Sequence, residues 1–166
     1  MADRGHARWL WLTLAVIAAD RTTKYLVEQQ LPEGARREFI PNFAALVHAQ
    51  NPGIAFSMFS ESAPHWVAYV LMGSSAVVVG VLVWLLVSGN FEGAPLQAAL
   101  ALIAGGAAGN LLDRLLHGGV TDFLELHVGR FSWPAFNLAD STITVGAILL
   151  AWELIRGWRR PVSERA

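Results

Sequence analysis

Residues 66–87 carry no charged side chain. About 20 mostly apolar residues in a helix cross roughly 30 Å of hydrocarbon, so this run alone commits part of the chain to a bilayer. Lipid offers no partners to backbone N–H and C=O groups, which leaves helices and closed barrels as spanning forms. A continuous apolar run without period-two alternation is a helix.

Three further segments follow from the same criterion. Residues 96–116 and 136–156 are apolar over most of their length, with Asn110, Asp113 and Arg114 near the end of one and Asn137, Asp140 and Glu153 within the other. Residues 9–28 are the weakest: residues 9–19 are apolar, but Asp20, Arg21 and Lys24 follow. This segment spans only if the polar turn stays helical and faces protein. The rival reading is a signal peptide cleaved near Ala18-Ala19, but the continuation through Lys24, Tyr25, Leu26 and Val27 favours an uncleaved helix. The composition agrees with a membrane chain: 54% hydrophobic and 15% charged residues, where a soluble domain carries about a quarter charged. With 166 residues the chain is one domain.

The arginines set a direction. Arg4 and Arg8 precede the first span, and Arg156, Arg159, Arg160 and Arg165 end the chain; the positive-inside rule puts both termini in the cytoplasm. Residues 88–95 are then a cytoplasmic loop, and two segments face outward. Residues 36–61 show strand-like stretches around Pro41-Asn42, a small β element on the outer membrane face. Residues 117–134 read as an outer loop. Trp9, Trp66, Trp84, Trp133, Trp152 and Trp158 mostly fall near span ends, as an aromatic belt requires.

In this orientation the polar residues gather near the outer side. Asp20 and Lys24, and likewise Asn110 and Arg114, are four residues apart and share helix faces. Asn137 and Asp140 open the last span, and Asp122 lies in the loop before it. Charges at membrane depth are costly and usually face a bundle interior or mark a site. Each also has a plain structural reading. Asp20 and Lys24 form an ion pair that seats a helix; Arg114 extends to outer headgroups beside Asp113; Asn137 caps a helix, with Asp140 in its first turn. The glycines and alanines of residues 104–109 allow close helix approach. His48, His65, His117 and His127 read as interfacial or loop residues.

The conjunction points to chemistry. Two neighbouring carboxylates, Asp122 and Asp140, hold one proton between them over a wide pH range; one takes a proton from water while the other protonates a carbonyl oxygen. Other hydrolase chemistries lack their parts: there is no Cys, no HExxH, no GxSxG, and a single Lys. By elimination a hydrolase here is aspartic, though elimination does not show that it is one. Buried Asp, Lys and Arg also suit a proton-coupled small membrane transporter, but internal repeats and broken helices are absent and the charges sit at one membrane edge. A non-enzymatic scaffold has no need of the Asp pair. The net charge of −1 argues against a nucleic-acid partner.

Five blocks carry a resemblance. Residues 20–24 (DRTTK), 51–57 (NPGIAFS), 105–114 (GGAAGNLLDR), 120–123 (VTDF) and 136–141 (FNLADS) resemble, in order and spacing, those of the bacterial lipoprotein signal peptidases, or signal peptidase II. The resemblance covers nearly the whole chain. It implies a mainly α, integral membrane protein: a four-transmembrane-helix bundle of the bacterial inner membrane with a small extracytoplasmic β cradle on the periplasmic side. It implies an aspartic endopeptidase that cleaves diacylglyceryl-modified prolipoproteins just before the lipid-modified Cys. Asp122 and Asp140 correspond to the catalytic pair; Asp20, Lys24, Asn51, Gly53, Asn110, Arg114 and Asn137 correspond to substrate-binding or supporting residues, with Asp20 and Lys24 as organisers. It also implies inhibition by globomycin as a substrate mimic, contact with membrane lipid, and no metal or organic cofactor. A monomer is expected, since one chain carries every required residue. Phe56 and Phe59 are expected to cover the site. Arg21 stands where Gln is more usual, and Pro52 follows Asn51.

Overall fold

The structure is a computed structural model that describes residues 7–52, 65–88, 91 and 93–158. The chain runs α1 (Leu10–Gln30), β1 (Arg36–Ile40), β2 (Ala44–Asn51), α2 (His65–Ser88), α3 (Ala94–His117), β3 (Val120–Val128), β4 (Phe131–Phe136) and α4 (Leu138–Trp158). Among the described residues three helices are long and apolar enough to cross a membrane, over Tyr69–Ser88, Ala94–His117 and Leu138–Gly157. Helix α1 falls short by composition because of its charged turns.

Helix α3 is the hub, packed against α1, α2 and α4. Its small-residue stripe explains why. A Cβ on Gly105 would lie 2.7 Å from the Val16 Cβ of α1; one on Gly106 would strike the Ala139 carbonyl of α4; one on Gly109 would lie 2.7 Å from Asp20 Oδ2. Glycine at all three positions lets the polar ends of α1 and α4 reach α3 directly.

The distribution of polarity is the reverse of a soluble domain's. Of the six largest fully buried side chains among the described residues, only Leu86 is apolar; the others are Lys24, Asn137, Thr121, Asp20 and Asp113. Meanwhile Tyr69, Val77, Val81 and Trp84 of α2, and Val145, Ile148, Trp152 and Leu154 of α4, lie exposed. An apolar exterior of this extent belongs in lipid. The condition set for the first helix is met as well: Asp20 and Lys24 face protein, at 1% and 0% exposure.

The strands form one antiparallel sheet in the order β1-β2-β3-β4. The β1–β2 hairpin forms around Pro41-Asn42, with Asn42 in the left-handed region at φ 58°. The outer part of the expected cradle, with Gly53, Phe56 and Phe59, lies outside the described residues. Residues 117–134, read from sequence as a loop, are instead mostly strand: β3 and β4 pair as a hairpin across Gly129-Arg130, with Gly129 at φ 60°. The cause is the alternation of Val120, Asp122, Leu124 and Leu126, whose polar member hides it, and a two-residue turn that a left-handed Gly permits. Phe136 accordingly belongs to β4, and the last helix starts at Leu138 rather than at residue 136.

Candidate active site

Three elements meet where α1 ends its apolar stretch, α3 nears its C-terminus and α4 begins. Lys24 of α1 is the anchor. Its ammonium has three N–H groups and meets three acceptors: Asp20 Oδ2 at 2.7 Å, Asp113 Oδ2 at 2.8 Å and Asn110 Oδ1 at 3.0 Å. Asp20 also accepts the Ala139 backbone N–H at 2.8 Å, so a carboxylate from α1 sits on the first turn of α4, where the helix dipole favours negative charge.

This anchor decides the orientation of two amides. Lys24 can only donate, so the Asn110 atom facing it is the oxygen; Asn110 Nδ2 must then point away, and it donates to Asp140 Oδ1 at 2.8 Å. Asn137 is fixed in the same manner. The Asp140 backbone N–H can only donate, and it takes Asn137 Oδ1 at 2.9 Å. Asn137 Nδ2 therefore faces Asp122 Oδ1, at 2.8 Å, and Asn110 Oδ1, at 3.2 Å.

Asn137 thus satisfies both readings made of it. It caps α4, and the Asp140 carboxylate returns the bond by accepting the Asn137 N–H at 3.2 Å, the reciprocal arrangement of a capping box. Its side chain also joins the two aspartates. Asn51, at the end of β2, donates to Asp122 Oδ2 at 3.1 Å. Strand β2 carries a register shift between Leu46 and Ala49; such bulges re-aim side chains. Each aspartate therefore accepts two N–H bonds from fixed donors.

The two carboxylates differ in surroundings. Asp122 is 5% exposed, and its pKa is pushed up to about 6. Burial is the main cause and the charge of Asp140 adds to it, while hydrogen bonds from Asn51 and Asn137 and the charge of Lys24 oppose it. Asp140 is half-buried and lines an apolar groove of about 390 Å³ with Trp133, Phe136, Ser141, Thr144 and Val145. The arrangement places two carboxylates, linked through Asn137, beside an apolar groove.

The remaining candidates fall as follows. Arg114 does not pair with Asp113, which turns inward to Lys24 and Arg21. Its Nη1 donates to the Asn110 carbonyl at 3.2 Å, and its charge acts on Asp140 and Asp122. Gly53 lies outside the described residues. His48 is buried, with Nδ1 2.8 Å from the Leu31 carbonyl. Among the described residues no cluster of His, Asp or Glu has the makings of a metal site. Sequence reasoning missed Arg21, Glu28 and Thr121, which interlock beside Asp122. The seven-residue spacing of Arg21 and Glu28, two turns on one helix face, was the available signal.

Fold and site together define an integral membrane protein built around an interior polar cluster. The family model described as "Signal peptidase (SPase) II" matches residues 12–156. The chain is 45% identical over 152 residues to a lipoprotein signal peptidase of Azoarcus sp. (strain BH72), covering 89% of this chain and 82% of that protein. It is 39% identical over 158 residues to a lipoprotein signal peptidase of Vibrio cholerae serotype O1, covering 95% and 92%. Two solved structures described as bacterial membrane enzymes are similar in fold, with TM-scores of 0.78 and 0.75 at 27% and 28% identity; they cover 92% and 89% of this chain and 90% and 92% of theirs. The chain belongs to the signal peptidase II family. It is a membrane signal peptidase, aspartic in type as its family is, and the transporter reading is set aside.

Proposed function

We propose that Asp122 and Asp140 hydrolyse the amide bond preceding a diacylglyceryl-modified Cys in prolipoproteins. Water loses a proton to the ionised carboxylate as its oxygen attacks the carbonyl carbon; the other aspartate, a protonated carboxyl, gives its proton to the carbonyl oxygen. The resulting tetrahedral diol collapses as a proton passes to the departing Cys nitrogen. The signal peptide leaves with a new carboxyl end, and the lipoprotein keeps a free amine. The observation that carries this reading is the linkage of both aspartates through Asn137, with Asp140 opening on an apolar groove. A groove of that character suits a peptide whose Cys bears acyl chains. Asn51, Asn110 and Asn137 orient the carboxylates, Lys24 holds the Asn110 amide, Asp20 ties Lys24 to the start of α4, and Arg114 supplies positive charge beside the reacting groups.

The test uses purified protein in lipid with two precursors, one diacylglyceryl-modified and one not. Release of the signal peptide, followed by mass, is expected only from the modified precursor, and globomycin is expected to block it. Equal cleavage of both precursors would refute a lipid-directed site.

We further infer four spans with both termini cytoplasmic, placing the sheet and the Asp pair on the periplasmic side of the inner membrane. The monomer is the functional unit. The chain has no Cys, so Arg130→Cys introduces one thiol at the β3–β4 turn. An impermeant maleimide is expected to label it from the periplasmic side of intact cells; labelling only after the inner membrane is breached would reverse the orientation.

A further inference from the structure

Asp122 stands on an awkward support. Strand β3 joins α3 through Gly118 and Gly119, and Gly118 has φ 76°. A glycine pair adds no stiffness of its own at the strand's start, and the second residue beyond it is Thr121 and the third is the reacting carboxylate. Pairing with β2, Val120 opposite Asn51 and Thr121 opposite Gln50, holds the backbone there along one edge; the rest of the restraint must come from side chains.

Thr121 is fully buried, and its three polar groups make four hydrogen bonds. Its hydroxyl donates to Glu28 Oε1 at 3.0 Å and accepts from Gln50 Nε2 at 3.0 Å. Its N–H donates to Asp113 Oδ2 at 3.3 Å, and its carbonyl accepts from Asn137 Nδ2 at 3.4 Å. The outer partners are themselves tied together. Arg21 grips both oxygens of Glu28, at 3.3 and 3.1 Å, and reaches Asp113 Oδ1 at 3.2 Å. Successive side chains of a strand point to opposite faces, so Thr121 turns to Glu28 while Asp122 turns to Asn137. Holding one fixes the other.

We propose that Arg21, Glu28 and Thr121 form a positioning clamp that sets the placement of the Asp122 carboxylate. The inference rests on the reading of Asp122 as a reacting group; the family resemblance assigned none of the three a role. Glu28 and Arg21 touch neither aspartate of the pair, so they act through Thr121 and Asp113. A reacting group displaced by about 1 Å costs on the order of a hundredfold in rate; loss of one polar contact in a clamp still anchored by others is a smaller disturbance.

Cleavage of diacylglyceryl-modified prolipoprotein in lipid tests the clamp, with kcat and KM measured separately. Thr121→Val and Glu28→Ala are each expected to lower kcat about tenfold with KM within about twofold. Because they break one contact, the double variant is expected to be no slower than the poorer single variant. Thr121→Ser keeps the hydroxyl and is expected to stay within about threefold of the wild type. Wild-type kcat in both single variants would overturn the clamp. So would losses that multiply in the double variant, or Thr121→Ser as slow as Thr121→Val. Glu28 is partly exposed, so Glu28→Ala decides alone if Thr121→Val fails to fold. Asp122→Asn, run in parallel, separates the two readings. If it cleaves normally, the role of Asp122 is wrong; if it is inert while the clamp variants are normal, only the clamp is wrong.

Discussion

Asp122→Asn and Asp140→Asn are each expected to lose signal-peptide release by about 10³- to 10⁴-fold, at the upper end of what one acid–base group contributes. Neither substitution removes volume, and each retains part of its hydrogen bonding, so both variants are expected to fold. A rate within tenfold of wild type in either would sink the paired mechanism. Asp122→Asn carries a second expected signature, in stability. The folded pKa of Asp122, about 6, lies above its ordinary value of 3.8, so the folded state binds this proton more tightly than the unfolded state does. The stability associated with the protonated group is complete below about pH 4 and is lost as pH rises through 6, by about 3 kcal/mol in all. Asparagine cannot ionise and escapes that loss. Between pH 4 and pH 7 the unfolding midpoint of Asp122→Asn is therefore expected to rise relative to the wild type. A gap that stays constant with pH, or moves the other way, would mean that Asp122 is not desolvated as described.

The sequence disclosed what is local and withheld what is reciprocal. The bilayer helices were legible because an uncharged apolar run has few other uses. The i, i+4 pairs Asp20–Lys24 and Asn110–Arg114 were legible because a helix face is fixed by spacing. Two features escaped. Strands β3 and β4 were missed because Asp122 and Phe123 interrupt the apolar alternation, and only the pairing of β3 with β2 makes sense of them. Asp113 was read only as the chain neighbour of Arg114; it pairs with Lys24 and Arg21 of α1, a contact between helices that spacing along one helix does not show. Likewise, Asn137 seemed to require a choice between cap and site. The backbone N–H of Asp140 takes the amide oxygen, which frees the amide nitrogen for Asp122, so the cap is what aims the site.

Lys24→Met is expected to be the most damaging single change outside the aspartate pair. Lys24 is fully buried, with two carboxylates within 2.8 Å. Removing it leaves Asp20 a buried charge without a cation and Asp113 with Arg21 alone, and breaking a buried pair from one side costs about 3–5 kcal/mol. That is a large share of the stability of a domain this size. Neutralising the survivors tests the cause: Lys24→Met with Asp20→Asn and Asp113→Asn is expected to recover most of the lost unfolding midpoint. Activity is not expected to return with it. Lys24 is also the donor that holds Asn110 Oδ1 and so turns Nδ2 to Asp140. Without that ammonium the amide oxygen is held only by the 3.2 Å bond from Asn137 Nδ2, and rotation would present oxygen to the carboxylate, which repels it. A triple variant that is stable yet slow would assign Lys24 both tasks, balancing charge and orienting the Asn110 amide. A single variant as stable as the wild type would show that the interior of this bundle is wetter than its burial implies, and the charge argument would fail with it.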